Sequence, residues 1–267
     1  MQQWTIDEPG QLTFGRVESL DVRIVSGRLA VLASEGPPTL EVADIESASP
    51  LVVTYDEDTG SLTVAYKDLT WDGLLGWLRR DRRRTVLSIA VPKSCRVNAG
   101  VVSAPAVVAG FERETQVKSV SGEIVLDAVS GDVTATTVSG TVESRAMEGD
   151  LSFKSVSGEL TVADGIPRRL RANTVSGRIT ADLALRPTGY VRLSSVSGDI
   201  LVRLPENVDT DVTVRSTSGR LTSTFHELSD RSSPGSKSMS GRLGGGMASL
   251  SATTVSGEVA LLKGEKE

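Results

Sequence analysis

Charged side chains recur at one fixed place in this chain, directly after a glycine: Arg28, Glu123, Asp132, Asp150, Glu159, Arg178, Asp199, Arg220, Arg242 and Glu258. A row of Glu123, Glu159 and Asp199 would offer oxygens to calcium or to a carbohydrate, and paired carboxylates on a groove are the equipment of glycoside hydrolysis. Calcium needs several oxygens converging at about 2.3–2.6 Å, whereas arginines interrupt this row, so solvated corners are the expected reading. The nine-residue calcium-binding β-roll also requires Gly-Gly-x-Gly-x-Asp; here the second residue after the glycine is apolar, as in Ile124, Val133, Val142 and Leu160.

The only histidine is His226, which leaves no His-based triad or HExxH elsewhere, and it reads as a surface residue. Cys95, the only cysteine, has no partner for an intrachain disulfide or a thiolate metal cluster and reads as a core filler. Neither a phosphate loop nor a dinucleotide fingerprint is present. The expectation is a non-enzyme with no cofactor and no metal.

A different chemistry is concentrated in residues 67–84. Trp71, Leu74, Leu75 and Leu78 follow i, i+3, i+4, i+7 spacing, with Trp77 beside them. Arg79, Arg80, Arg82, Arg83 and Arg84 follow at the C-terminal end, where cations suit a helix dipole, and Thr70 or Asp72 stands where a cap belongs. This predicts a short amphipathic helix. It either folds back onto the body of the protein or docks on a protein partner or an anionic membrane surface. Nucleic acid is disfavoured by a net charge of −5.

What must position these groups is a repeat. Val-Ser-Gly or a near variant ends at Gly122, Gly131, Gly140, Gly158, Gly177, Gly198, Gly219, Gly241 and Gly257. From Gly122 to Gly158 the spacing is built on nines; every second glycine, 122, 140, 158, 177, 198, 219, 241 and 257, steps by 18, 18, 19, 21, 21, 22 and 16. Apolar residues two before, two after and four after the glycine, as in Val120, Ile124 and Leu126, alternate with the period of strands. Two strands and two turns in about 18–21 residues leave no room for a crossover helix and predict a parallel β-solenoid. On this reading the glycines form tight corners that need a residue tolerant of φ > 0 and of close backbone approach. The valines Val120, Val138, Val156, Val175, Val196 and Val255 line the interior.

With these motifs the chain resembles the bacterial putative-adhesin β-strand-repeat family, domain of unknown function 4097, from Val97 to Leu262. Ile24-Val25-Ser26-Gly27-Arg28-Leu29 and Ile89-Ala90-Val91-Pro92 match its entry segment. The resemblance implies a β-solenoid, no established catalytic residues and an association with the cell envelope.

The expected organisation is all-β. Residues 1–92 form an irregular β entry region carrying the insertion at 67–84, residues 93–262 the solenoid, and 263–267 a polar tail; 226–250, rich in Gly and Ser, reads as a mobile loop. With 39% hydrophobic but only 4% aromatic residues, the core must be Val, Leu, Ile and Ala. The N-terminus has neither a basic region nor an apolar run of a leader, so a cytoplasmic protein with peripheral membrane contact is expected. A last coil with one neighbour would present open strand edges, which predicts a homodimer through Val259 and Leu261. The functional expectation is a non-catalytic binding or scaffold protein; the alternative is a carbohydrate-active enzyme or polysaccharide-binding module on the same fold.

Overall fold

The computed structural model describes residues 1–47, 49–66, 83–231, 233 and 235–264. All regular structure among them is β-strand. The helix expected at 67–84 falls largely on 67–82, outside the described residues, but its basic end does not: Arg83 and Arg84 open the strand Arg83–Val91. The chain divides into two units, Met1–Thr134 and Ala135–Glu267.

In the first unit each coil contributes one strand to each of two sheets. One sheet runs Ser61–Tyr66, Ser19–Ile24, Arg96–Val101, Thr115–Ser119, all parallel. The other runs Arg83–Val91, Ser26–Ala33, Ala106–Ala109, Ile124–Asp127, also parallel. Order in space therefore differs from order in the chain, because the coil 19–33 lies between the coils 61–91 and 96–109. Beyond the coil 61–91 the pairing turns antiparallel, with Leu51–Asp56 then Gln2–Ile6 on one sheet and Thr39–Ser47 then Gly10–Thr13 on the other. Three aromatic rings pack together at this end: Phe14 lies 5.7 Å from Trp4 and 5.3 Å from Tyr55.

The second unit repeats the plan. The first part of Leu160–Asn173 pairs in parallel between Val142–Arg145 and Ile179–Leu183, and the sheet continues through Ile200–Leu204 and Val259–Lys263 to Leu221–Ser223. The second part of Leu160–Asn173 continues Glu148–Ser155 and is followed by Tyr190–Ser194, Ala248–Thr254 and Thr210–Ser216. Inward residues are aliphatic, as expected: Leu170, Ala172, Val191, Leu193, Ile200, Val202, Leu250 and Ala252 are buried. Residues 226–250, expected as a mobile loop, instead contain Lys237–Leu243, which closes the sheet antiparallel to Thr210–Ser216 and carries Ser229–Asp230 on its far side.

Candidate interaction surfaces

The Val-Ser-Gly corner is built by a hydroxyl that precedes it. Thr174 Oγ1 accepts the Gly177 N–H at 3.0 Å, Ser195 Oγ that of Gly198 at 2.8 Å, and Thr254 Oγ1 that of Gly257 at 3.1 Å. These hydroxyl residues are buried, so the inward position before the corner is Ser or Thr. The two residues between cap and glycine then point outward. The valines expected in the core are consequently at the surface: Val156 is 52% exposed and Val196 48%, with Val138, Val175 and Val255 alike, while Val120 is half-buried. Along this column the corner serines donate their N–H groups to a valine carbonyl of the neighbouring coil, Ser176 to Val156 at 2.9 Å and Ser197 to Val175 at 2.8 Å. The result is a ridge of exposed valines stacked coil upon coil.

In the second unit the corner glycines Gly158, Gly177, Gly198, Gly219 and Gly257 are required by close approach and not by φ, whereas Gly27 in the first unit combines close approach with a φ of 109°. A Cβ on Gly198 would lie 1.9 Å from the Gly177 carbonyl oxygen, and one on Gly177 1.9 Å from that of Gly158. Left-handed backbone occurs instead at Ala128, Ala146, Asp164 and Thr188, between the other ends of the strands.

The charged residues after the glycines do not converge. Within the second unit Glu159 and Asp199 are separated by the coil carrying Arg178, and Asp199 is engaged by the Glu258 backbone N–H at 2.9 Å. Glu123 stands in the first unit, exposed beside its own corner. Among the described residues no group of His, Cys, Asp and Glu has the geometry to hold a metal ion. His226 is exposed. Cys95 is fully buried, and burial pushes its thiol up to about 12.

Trp71, Leu74, Leu75, Trp77, Leu78, Arg79, Arg80 and Arg82 lie outside the described residues, but the seat of their segment is defined. The strand Ser61–Tyr66 pairs with Ser19–Ile24 through Ala65 and Arg23, and Arg83–Val91 pairs with Ser26–Ala33 through Arg84 and Ser26. Extended by one residue, these registers set Tyr66 beside Ile24 and Arg83 beside Val25. The segment thus leaves and rejoins the coil where its neighbour makes the Val25-Ser26-Gly27 corner. Tyr66 is buried with its hydroxyl against Thr85 Oγ1, and the Arg83 guanidinium lies over the Tyr66 ring at 5.3 Å. The Ser26 hydroxyl donates to the Arg83 carbonyl at 2.8 Å, and Arg84 pairs with Asp44 at 3.3 Å. Arg83 is therefore part of the seat; of the two, only Arg84 is exposed.

Val259 and Leu261 are both fully buried. Their strand has a parallel neighbour on each side, Ile200–Leu204 and Leu221–Ser223. The premise of an end-to-end contact through these residues fails, because the last coil in the chain is not the last in the stack.

A feature the sequence reading passed over is the outer face of the second unit's sheet that runs from Glu148–Ser155 to Lys237–Leu243. Arg171 stands directly across from Arg192, which faces Ser251. Asp150 accepts from Arg168 Nε at 2.8 Å and Arg169 Nε at 2.6 Å. Burial pushes its carboxyl up, but these hydrogen bonds outweigh that and hold it below the ordinary value. The signal was available: residues 171 and 192 have the same separation as Gly177 and Gly198.

The family model described as Toastrack DUF4097 matches residues 16–262. Among solved structures, the chain is similar to a "putative lipid binding protein" from Parabacteroides distasonis, with 13% identity, 98% of each chain covered and a TM-score of 0.44. It is also similar to a "putative adhesin" from the same organism, with 12% identity, 97% of each chain covered and a TM-score of 0.37. A "putative adhesin" from Bacteroides fragilis shows 11% identity, 97% coverage of each chain and a TM-score of 0.34. No curated protein matches the chain.

Proposed function

The chain belongs to the Toastrack DUF4097 family, and from the coil stack and the seat formed at Tyr66 and Arg83 we propose that it is a non-catalytic binding protein. The contact is made by the segment between Tyr66 and Arg83, and the surface contacted is an anionic membrane. The observation that carries this reading is the seat itself. A corner that the neighbouring coil makes with Val25-Ser26-Gly27 is here extended by residues 67–82, and both stems are fixed by buried contacts of Tyr66, Thr85 and Arg83. A rigid seat lowers the ordering cost of whatever the segment binds. By sequence the segment offers Trp71, Leu74, Leu75, Trp77 and Leu78 as apolar anchors, with Arg79, Arg80 and Arg82 to attract anionic headgroups.

Co-sedimentation with vesicles containing an anionic phospholipid tests this. Deleting 67–82 joins Tyr66 to Arg83 at positions equivalent to Ile24 and Val25, so the coil can close. Intact protein should pellet with anionic but not zwitterionic vesicles, less so as salt rises, and the deletion variant should stay in solution. Equal behaviour of a folded deletion variant sinks the membrane reading, and pelleting of neither form turns the segment toward a protein partner.

A further inference from the structure

We propose a second binding face, on the other unit and independent of the segment at 67–82: the outer surface of the sheet from Glu148–Ser155 to Lys237–Leu243 binds an acidic polysaccharide.

The register defines the face. The inward residues Leu151, Phe153, Leu170, Ala172, Val191, Leu193, Leu250, Ala252, Val212 and Val214 are buried, so the alternate residues form outward rows across the strands. The central row runs Ser152, Arg171, Arg192, Ser251, Thr213, Ser240. One flanking row runs from Lys154 through Asn173, Ser194 and Thr253 to Arg215. In the other, Asp150 is consumed by Arg168 and Arg169, and Asp211 by Arg242 at 2.9 Å. No carboxylate stands in the central row or in the Lys154–Arg215 row. Arg171 and Arg192 are exposed like charges on directly paired positions, an arrangement that costs stability in a sheet. Arg171 lies over the Tyr190 ring at 5.5 Å, which holds its guanidinium in place. The second unit as a whole is close to neutral, so this face concentrates positive charge that acids elsewhere in the unit leave uncompensated.

Three features choose the ligand. Guanidinium groups fork onto carboxylates with two parallel hydrogen bonds, which suits a polymer bearing a carboxylate on each sugar. The serine and threonine hydroxyls between the cations can exchange hydrogen bonds with sugar hydroxyls. Neither the central row nor the Lys154–Arg215 row carries an aliphatic side chain to enter a bilayer, and the one outward aromatic beside them, Tyr190, is already covered by Arg171, which leaves no stacking platform for bases. A polyuronate lying across the strands, along the central row, meets successive strands at a spacing of about 4.8 Å.

The test uses full-length protein and polygalacturonate as the probe, by calorimetry at low salt, with dextran, single-stranded DNA and anionic vesicles in parallel. The comparison variant is Arg171→Ser with Arg192→Ser. Its melting temperature should equal or exceed the parent's, because a like-charge pair has been removed. Polygalacturonate should bind the parent, dextran should not, and the variant should bind at least about tenfold more weakly. Absence of binding to the parent, or equal binding by a folded variant, overturns the proposal. So does DNA binding tighter than polygalacturonate, or vesicle binding lost on the Arg171/Arg192 substitution while polygalacturonate binding is unchanged. Because the variant leaves 67–82 intact and the deletion leaves this face intact, either proposal can fail alone.

Discussion

Gly257 stacks directly on Gly198: a Cβ on Gly257 would sit 2.1 Å from the Gly198 carbonyl oxygen, and one on Gly219 1.8 Å from that of Gly257. The C-terminal coil is thus inserted between two coils that precede it in sequence. Its strands satisfy their hydrogen bonds on both sides, and the stack is closed by the antiparallel strand Lys237–Leu243. Removing this coil from a stack opens two interfaces, whereas trimming an end coil opens one. We therefore expect Leu261→Ala to cost about 2–5 kcal/mol, as for any fully buried leucine. Chain truncation after residue 247 should abolish cooperative unfolding of the second unit. Urea titration followed by circular dichroism measures both; a truncated chain that keeps the parent's transition contradicts the inserted order.

The glycine column tolerates no side chain. At Gly198 the obstructing atom is the backbone carbonyl of Gly177 in the neighbouring coil, whose own N–H is held by Thr174 Oγ1, so it cannot rotate aside as a side chain would. Gly198→Val is expected to destabilise by at least about 3 kcal/mol. Gly10→Ala, where a Cβ meets nothing within 4 Å, should stay within about 0.5 kcal/mol. Thermal melts of the two variants beside the parent distinguish close approach from a general intolerance of glycine replacement.

Much of this was legible from the period. Apolar residues at two and four after the glycine, such as Ile200 and Val202, are buried as the alternation requires. The phase before the glycine was not legible. Val196 reads as a core residue by type, but Ser195 takes the inward position because its hydroxyl is needed by the Gly198 N–H. A buried serine looks, in sequence, like a surface one. Nor could the period reveal the order of coils: nothing in Val255-Ser256-Gly257 says that its neighbours are the coils of Gly198 and Gly219, since every copy offers the same edges. The pairing of Arg171 with Arg192 was recoverable by adding one coil length to each outward residue. The seat of 67–82 was not, because it depends on two parallel registers meeting at one corner.

The exposed valine ridge gives a prediction opposite to that of the glycines. The Val196 side chain projects outward while its carbonyl accepts from Ser256 N–H at 3.0 Å. Val196→Thr keeps the branched shape and the backbone bond, so stability should change by no more than about 0.5 kcal/mol. Replacing Val156, Val175 and Val196 together by Thr should likewise leave the melt intact and lower binding of a hydrophobic dye such as ANS. A loss of several kcal/mol would mean that the ridge is covered within the molecule.

Cys95 makes the folded protein sensitive to alkaline pH. The thiol is fully buried, with Sγ 3.4 Å from the Arg96 carbonyl oxygen, and burial raises its pKa from the ordinary 9.0 to about 12, against a smaller lowering by the Arg96 charge. Below pH 9 the thiol is protonated in both folded and unfolded chains and contributes no pH dependence. Between about 9 and 12 the unfolded chain gives up its proton while the folded chain keeps it, so the unfolded state is favoured increasingly as pH rises. The slope approaches about 1.4 kcal/mol per pH unit for one group. Lysines and tyrosines also titrate in this range, so the quantity to measure is the stability difference between parent and Cys95→Ala, by urea titration from pH 7 to 10.5. The parent's advantage should be constant to about pH 8.5 and shrink above 9. In parallel, a disulfide-exchange reagent at pH 8 should leave the native thiol unmodified and react once urea unfolds the chain, because the thiolate is the nucleophile. Rapid modification of native protein at pH 8, or a difference independent of pH, would show that the thiol is neither sealed nor shifted.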